Sequence, residues 1–202
     1  MLLVMLVSIL GFSKVMAGEP RSIVVLGDSI SAAYQMEQSE SWPALLADRL
    51  NKHGYAYSVF NSSITGDTTE SGLNRLPRLL QSQQPAVVII ELGGNDGLRG
   101  LPLDVTRSNL RAMITSSQQA GAKVILAGIQ LPPNYGKTYT QRFTDMYGQL
   151  AELFSTALIP FILEDVALNP ELMQDDGIHP NAMAQPVLLD HVWLALEPLL
   201  AK

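Results

Sequence analysis

From Arg21 onward, short apolar runs alternate with longer stretches in which apolar residues recur every three or four positions. The short runs read as buried strands, the long ones as helices with one apolar face. Ile23 to Leu26 is rich in β-branched residues and stops at Gly27, as a strand stops at its turn. A helix follows, capped by Ser41, with Pro43 in its first turn, carried by Leu45, Leu46 and Leu50 and ended by Gly54. Tyr55 to Phe60 is the second strand. Thr68 to Gln84 is a helix with Leu73, Leu76 and Leu80 on one face, weakened or kinked at Pro77. Val87 to Leu92 reads as an apolar, central third strand. Asp104 to Ala120, closed by Gly121, is a helix that turns Leu110, Met113 and Ile114 inward. Val124 to Ile129 and Ile159 to Leu163 are the fourth and fifth strands, with a helix over Thr144 to Thr156 between them. Pro186 to Leu200 is the last helix, with Leu188, Val192, Leu196 and Leu199 at helical spacing.

Strands joined by helices of this length are parallel and wound by right-handed crossovers. The expected fold is α/β: a five-stranded parallel sheet inside a three-layer α/β/α sandwich of flavodoxin-like topology. Sites in such sheets lie beyond the carboxyl ends of the strands. The chain has 202 residues, which suits one domain, and it shows no internal repeat or linker.

Composition narrows the chemistry. With 47% hydrophobic and 16% charged residues, the chain suits a packed globule. A net charge of -6 counts against a nucleic-acid partner, because phosphates need a basic face. The absence of cysteine removes thiol nucleophiles, disulfides and cysteine-ligated zinc. At the start of the chain, Leu2 to Phe12 is apolar but shorter than the roughly 20 residues of a membrane span. Val15-Met16-Ala17 then resembles a signal-peptidase site, although no Lys or Arg precedes the apolar run. Residues 1–17 are therefore expected to be a signal peptide and residues 18–202 the folded domain. A periplasmic or secreted monomer without stable membrane insertion is the expectation.

Four polar clusters follow apolar strands and should meet on one edge of the sheet: Gly27-Asp28-Ser29-Ile30-Ser31, Ile64-Thr65-Gly66-Asp67-Thr68, Gly93-Gly94-Asn95-Asp96-Gly97 and Asp175-Asp176-Gly177-Ile178-His179-Pro180. Acyl transfer by a serine needs a base within hydrogen-bond reach, and histidine is the natural base at neutral pH. His53 reads as a helix-end residue and His191 as a mid-helix one; His179 alone lies in a loop beside carboxylates. Asp176, three residues before it, is better spaced than Asp175 to fix the imidazole tautomer. The N–H groups of Ser29 and Gly66 and the Asn95 amide are candidate donors to an oxyanion. Leu131, Pro132 and Ile178 are candidates for an acyl groove, with plain packing as the alternative. Asp28, Asp67 and Asp96 are read as caps and braces rather than metal ligands, and no cofactor is expected.

These four clusters, in order and spacing, resemble the sequence blocks of the GDSL, or SGNH, hydrolases. Trp42-Pro43-Ala44-Leu45-Leu46, Leu92 to Gly100, Leu131 to Gly136 and Met173 to Pro180 resemble in particular the bacterial periplasmic branch with thioesterase, protease and lysophospholipase activities. The resemblance implies Ser29 as nucleophile, His179 as base and Asp176 as its orienting carboxylate. It implies an oxyanion hole of Ser29, Gly66 and Asn95, and broad activity on small-molecule substrates: acyl thioesters, aryl esters and lysophospholipids. Ile30 replaces the usual Leu after the nucleophile, a volume-conserving change. Gln130 stands where relatives are expected to carry Arg. A carbohydrate acetylesterase and a non-catalytic lipid-binding module are the alternatives. The apolar Leu131-Pro132-Pro133 loop argues against the first, the intact site set against the second.

Overall fold

The computed structural model describes residues 21–202, so the expected signal peptide at residues 1–17 lies outside the described residues. Five strands, β1 (Arg21–Gly27), β2 (Tyr57–Asn61), β3 (Val87–Glu91), β4 (Lys123–Ala127) and β5 (Ala157–Ile159), form one sheet in the order β2-β1-β3-β4-β5. Every pairing is parallel, as helical crossovers require. The helices are α1 (Trp42–Lys52), α2 (Thr69–Gln83), α3 (Gly94–Leu98), α4 (Leu103–Gln119), α5 (Lys137–Phe154) and α6 (Gln185–Leu196).

Both faces of the sheet are covered, which is why the inner strands β1, β3 and β4 carry near-continuous apolar runs in their interiors. Ile23, Val25, Ile89 and Ile125 point to a core shared with Trp42, Leu46 and Leu50 of α1 and Leu188 and Val192 of α6. Their neighbours Val24, Leu26, Ile90 and Leu126 point the other way, against Leu76 of α2, Leu110 and Met113 of α4, and Phe143 and Tyr147 of α5. The chain leaves β1 for β2 on one side and then crosses to β3 on the other. The crevice at the carboxyl ends of β1 and β3 is thus the topological switch point where such sheets place ligands.

Several elements differ from the sequence reading. β5 covers Ala157–Ile159 rather than Ile159 to Leu163. Pro160 has no N–H for a ladder, and the chain turns so that the Ile162 N–H donates to the Gly128 carbonyl at 3.0 Å. α5 begins at Lys137, seven residues before Thr144, through a polar first turn entered by Gly136 at φ 90°. α2 runs unbroken through Pro77. The last helix stops at Leu196 and tightens into a 3₁₀ turn over Glu197–Leu199, where Pro198 cannot donate to the preceding turn. α3 has no counterpart in the reading. The run taken as an apolar third strand ends on a fully buried carboxyl, Glu91.

Candidate active site

The turn after β1 is built around Asp28. Its main-chain carbonyl accepts the N–H groups of Ser31 and Ala32, and its Oδ1 accepts the Ile30 N–H at 3.1 Å. Ser29 projects from this turn into a cleft of about 790 Å³ at the carboxyl edge of the sheet. Beneath it, Glu91 Oε2 accepts the Asp28 N–H at 3.2 Å and the Ser31 hydroxyl at 2.7 Å. The Trp42 indole N–H in turn donates to Ser31 Oγ at 3.2 Å.

His179 arrives from the loop before α6. Its Nε2 lies 2.9 Å from Ser29 Oγ, and its Nδ1 lies 2.6 Å from Asp176 Oδ2. Asp176 Oδ1 accepts the N–H groups of Ile178 and His179 at 2.9 and 3.0 Å. Burial works to raise this carboxyl, but those N–H groups and the imidazole outweigh it and hold it down at about 2. An ionised carboxylate only accepts, so the Nδ1 atom carries the proton and Nε2 is left to accept from the Ser29 hydroxyl. Asp176, not Asp175, makes the contact, as the three-residue spacing implied.

Gly66 occupies a turn at φ 81°, a conformation a side chain would strain. Its N–H and that of Ser29 make no hydrogen bond within the protein among the described residues. Such free donors suit an anionic oxygen. Asn95, in the first turn of α3, donates from Nδ2 to Asp28 Oδ2 at 3.1 Å and to the Asp67 carbonyl at 2.9 Å. Its amide, a candidate oxyanion donor in the sequence, therefore braces the two loops beside it. The three neighbouring aspartates are braces as well. Asp67 holds Arg75 at 2.6 Å and Ser71 at 2.7 Å, and Asp96 accepts the Thr69 N–H at 2.9 Å and the Thr69 hydroxyl at 2.5 Å. Burial raises the Asp28 carboxyl to about 7, with the Ile30 N–H and the Asn95 amide opposing and the charges of Asp67 and Asp96 adding to the rise. Glu91 is pushed well above the usual range, first by burial and then by Asp28.

Leu131, Pro132 and Ile178 all line the cleft, Leu131 as a buried residue and the other two exposed. Phe161, Leu163, Leu168 and Met173 line it too. The sequence reading missed Phe161 and Leu163 as lining because it placed them in a strand. The remaining histidines sit elsewhere: His53 caps α1 with its ring 5.1 Å from that of Trp193, and His191 Nδ1 is 3.4 Å from the Ile162 carbonyl oxygen. Glu91 and Tyr34 were also missed. A lone charge inside an apolar run was the available signal for Glu91, and an aromatic five residues after the serine was the signal for Tyr34.

Comparison with known proteins places these observations. The model of the GDSL-like lipase/acylhydrolase family matches residues 25–185. Esterase TesA of Pseudomonas aeruginosa is 52% identical over 180 residues, 89% of this chain and 90% of that protein. Thioesterase 1/protease 1/lysophospholipase L1 of Escherichia coli K12 is 47% identical over 178 residues, 88% of this chain and 84% of that one. Among solved structures, psychrotrophic esterase EstA from Pseudoalteromonas sp., inhibited by monoethylphosphonate, superimposes with a TM-score of 0.84 at 40% identity, covering 88% of this chain and 97% of that chain.

Proposed function

Because the chain belongs to the GDSL-like lipase/acylhydrolase family and is a serine hydrolase of carboxylic esters and thioesters, we propose that Ser29 is its nucleophile, His179 its base and Asp176 the carboxylate that orients the base. The observation that carries this reading is the continuous chain from Ser29 Oγ through the imidazole to Asp176, with contacts of 2.9 and 2.6 Å. His179 Nε2 takes the proton as Ser29 Oγ attacks the acyl carbonyl. The oxyanion forms against the free N–H groups of Ser29 and Gly66, with the Asn95 amide beside them. The tetrahedral intermediate collapses to an acyl-enzyme as His179 returns the proton to the leaving alcohol or thiol, and water then repeats the sequence to release the acid.

The substrates are acyl thioesters, aryl esters and lysophospholipids. The apolar cleft wall of Ile129, Leu131, Pro132, Phe161, Leu163 and Met173 supports an acyl chain rather than a sugar. The relative from E. coli carries thioesterase and lysophospholipase in its name, which points the same way. The protein acts as a monomer of residues 18–202, in the periplasm or outside the cell, after removal of residues 1–17. No helix of the described residues is long and apolar enough to cross a membrane.

Ser29→Ala is expected to lower kcat on a p-nitrophenyl ester by about 10⁴-fold or more while the protein still folds. Activity within tenfold of wild type, or fluorophosphonate labelling at another serine, would overturn the assignment. Faster turnover of acetyl than of long-chain esters would remove the acyl-chain reading. Exported protein is expected to begin at Gly18 on N-terminal sequencing.

A further inference from the structure

The turn that carries Ser29 continues to Tyr34, whose ring lies against the imidazole of His179. The centroids are 4.3 Å apart and the planes are tilted by 38°. The two imidazole nitrogens are occupied by Asp176 and Ser29, and the Tyr34 ring meets the imidazole by packing rather than by a hydrogen bond. Tyr34 is flanked by Ala33 at φ 57° and Gln35 at φ 53°, both in the left-handed region that disfavours residues with a Cβ. Two such residues within three positions persist only where the surroundings hold them.

Gln174 supplies part of that hold. Its Nε2 donates to the Tyr34 carbonyl at 2.9 Å and to the Pro180 carbonyl at 3.0 Å. Its backbone N–H donates to the His179 carbonyl at 2.8 Å. Both partners of the side-chain amide are acceptors, which fixes its orientation, and its Oε1 is buried without a partner among the described residues. One residue thus fastens the turn of Ser29 to the loop of His179.

We propose that Tyr34, held by Gln174, is a positioning residue for His179: its ring keeps the imidazole on the line between Ser29 and Asp176, and its π face stabilises the imidazolium that forms when Ser29 gives up its proton. An aromatic face attracts a cation, and a covered ring cannot swing away. The effect belongs to the ring, because among the described residues the Tyr34 hydroxyl accepts only from the exposed amide of Gln35, at 3.0 Å. The inference rests on Ser29 and His179 being nucleophile and base.

Steady-state kinetics on p-nitrophenyl butyrate with Tyr34→Phe and Tyr34→Leu test it. Tyr34→Phe stays within twofold of wild type. Tyr34→Leu loses about tenfold in kcat with KM unchanged, and its labelling by a fluorophosphonate slows in proportion. Equal losses in both variants, a kcat within twofold of wild type in Tyr34→Leu, or a change in KM alone would overturn the proposal. Should Tyr34→Leu fail to fold, Gln174→Met carries the test by cutting the tie while leaving the ring. A fall in kcat at constant KM supports the proposal, and an unchanged kcat overturns it. Ser29→Ala and His179→Ala run alongside. If either retains activity the underlying reading fails, whereas inactive controls beside an unchanged Tyr34→Leu sink only the role of Tyr34.

Discussion

Asn95 shows how one side chain can serve structure and chemistry together. Its two N–H groups are engaged by Asp28 Oδ2 and the Asp67 carbonyl, so its removal strips a partner from a buried carboxyl. The proposed oxyanion role requires one of those N–H groups to exchange its acceptor in the transition state, and on that reading Asn95→Ala lowers kcat by roughly 10²–10³-fold. It should also cost about 1–3 kcal/mol of stability through the orphaned acceptors. Kinetics and a melting curve on the same variant check both halves; a full-strength kcat in a folded variant would remove the oxyanion role. Polar residues of this kind were legible in the sequence because each follows a strand and stands in a loop. The partners of Glu91 and the tie from Gln174 to Tyr34 were not, because Asp28, Ser31 and Tyr34 lie 63, 60 and 140 residues away from them. The sequence does not show which acceptor Asn95 braces for the same reason: Asp28 is 67 residues away.

At the scale of elements, apolar periodicity located four strands to within a few residues and failed where backbone chemistry overrode it. Ile159 to Leu163 has a strand-like composition around Pro160, yet the ladder needs the N–H that proline lacks. α3 forms from Gly94-Asn95-Asp96-Gly97-Leu98, a segment with poor helix propensity, because Asp96 is pinned to Thr69 and Thr106. The end of β4 supplies a prediction. A Cβ added at Gly128 would overlap the Pro160 carbonyl oxygen, and Gly128 is itself bonded to Ile159 and Ile162 through its N–H and carbonyl. Neither side can yield without breaking the turn that ends β5. Gly128→Ala is expected to cost about 1–3 kcal/mol, read as a shift in the denaturant midpoint at unchanged slope. A wild-type midpoint would show that the turn relaxes freely.

For the whole molecule, the carboxyls beneath Ser29 make stability depend on pH. A carboxyl raised in the fold holds its proton more tightly there than in the unfolded chain. Its stabilising contribution is full below the unfolded value and is lost as pH rises through the folded one. For Asp28 that window runs from 3.8 to about 7, and Glu91 extends it upward from 4.5. Asp176, held at about 2, works in the opposite sense and loses its contribution only as pH falls below the ordinary carboxylate range. Glu91→Gln keeps an acceptor for the Asp28 N–H and the Ser31 hydroxyl and cannot ionise. Its melting temperature should match wild type near pH 4.5 and exceed it by a growing margin toward pH 9. Parallel curves across that range would show that Glu91 does not titrate in the fold. The other consequence of the architecture is temporal. Ser29, the proposed nucleophile, follows the first strand, and His179, its proposed base, lies 150 residues later in the loop before the last helix. A nascent chain therefore carries Ser29 well before His179 has been made. On that assignment a chain terminated before His179 lacks its base, so hydrolysis waits for the loop of His179 to close against the turn of Ser29.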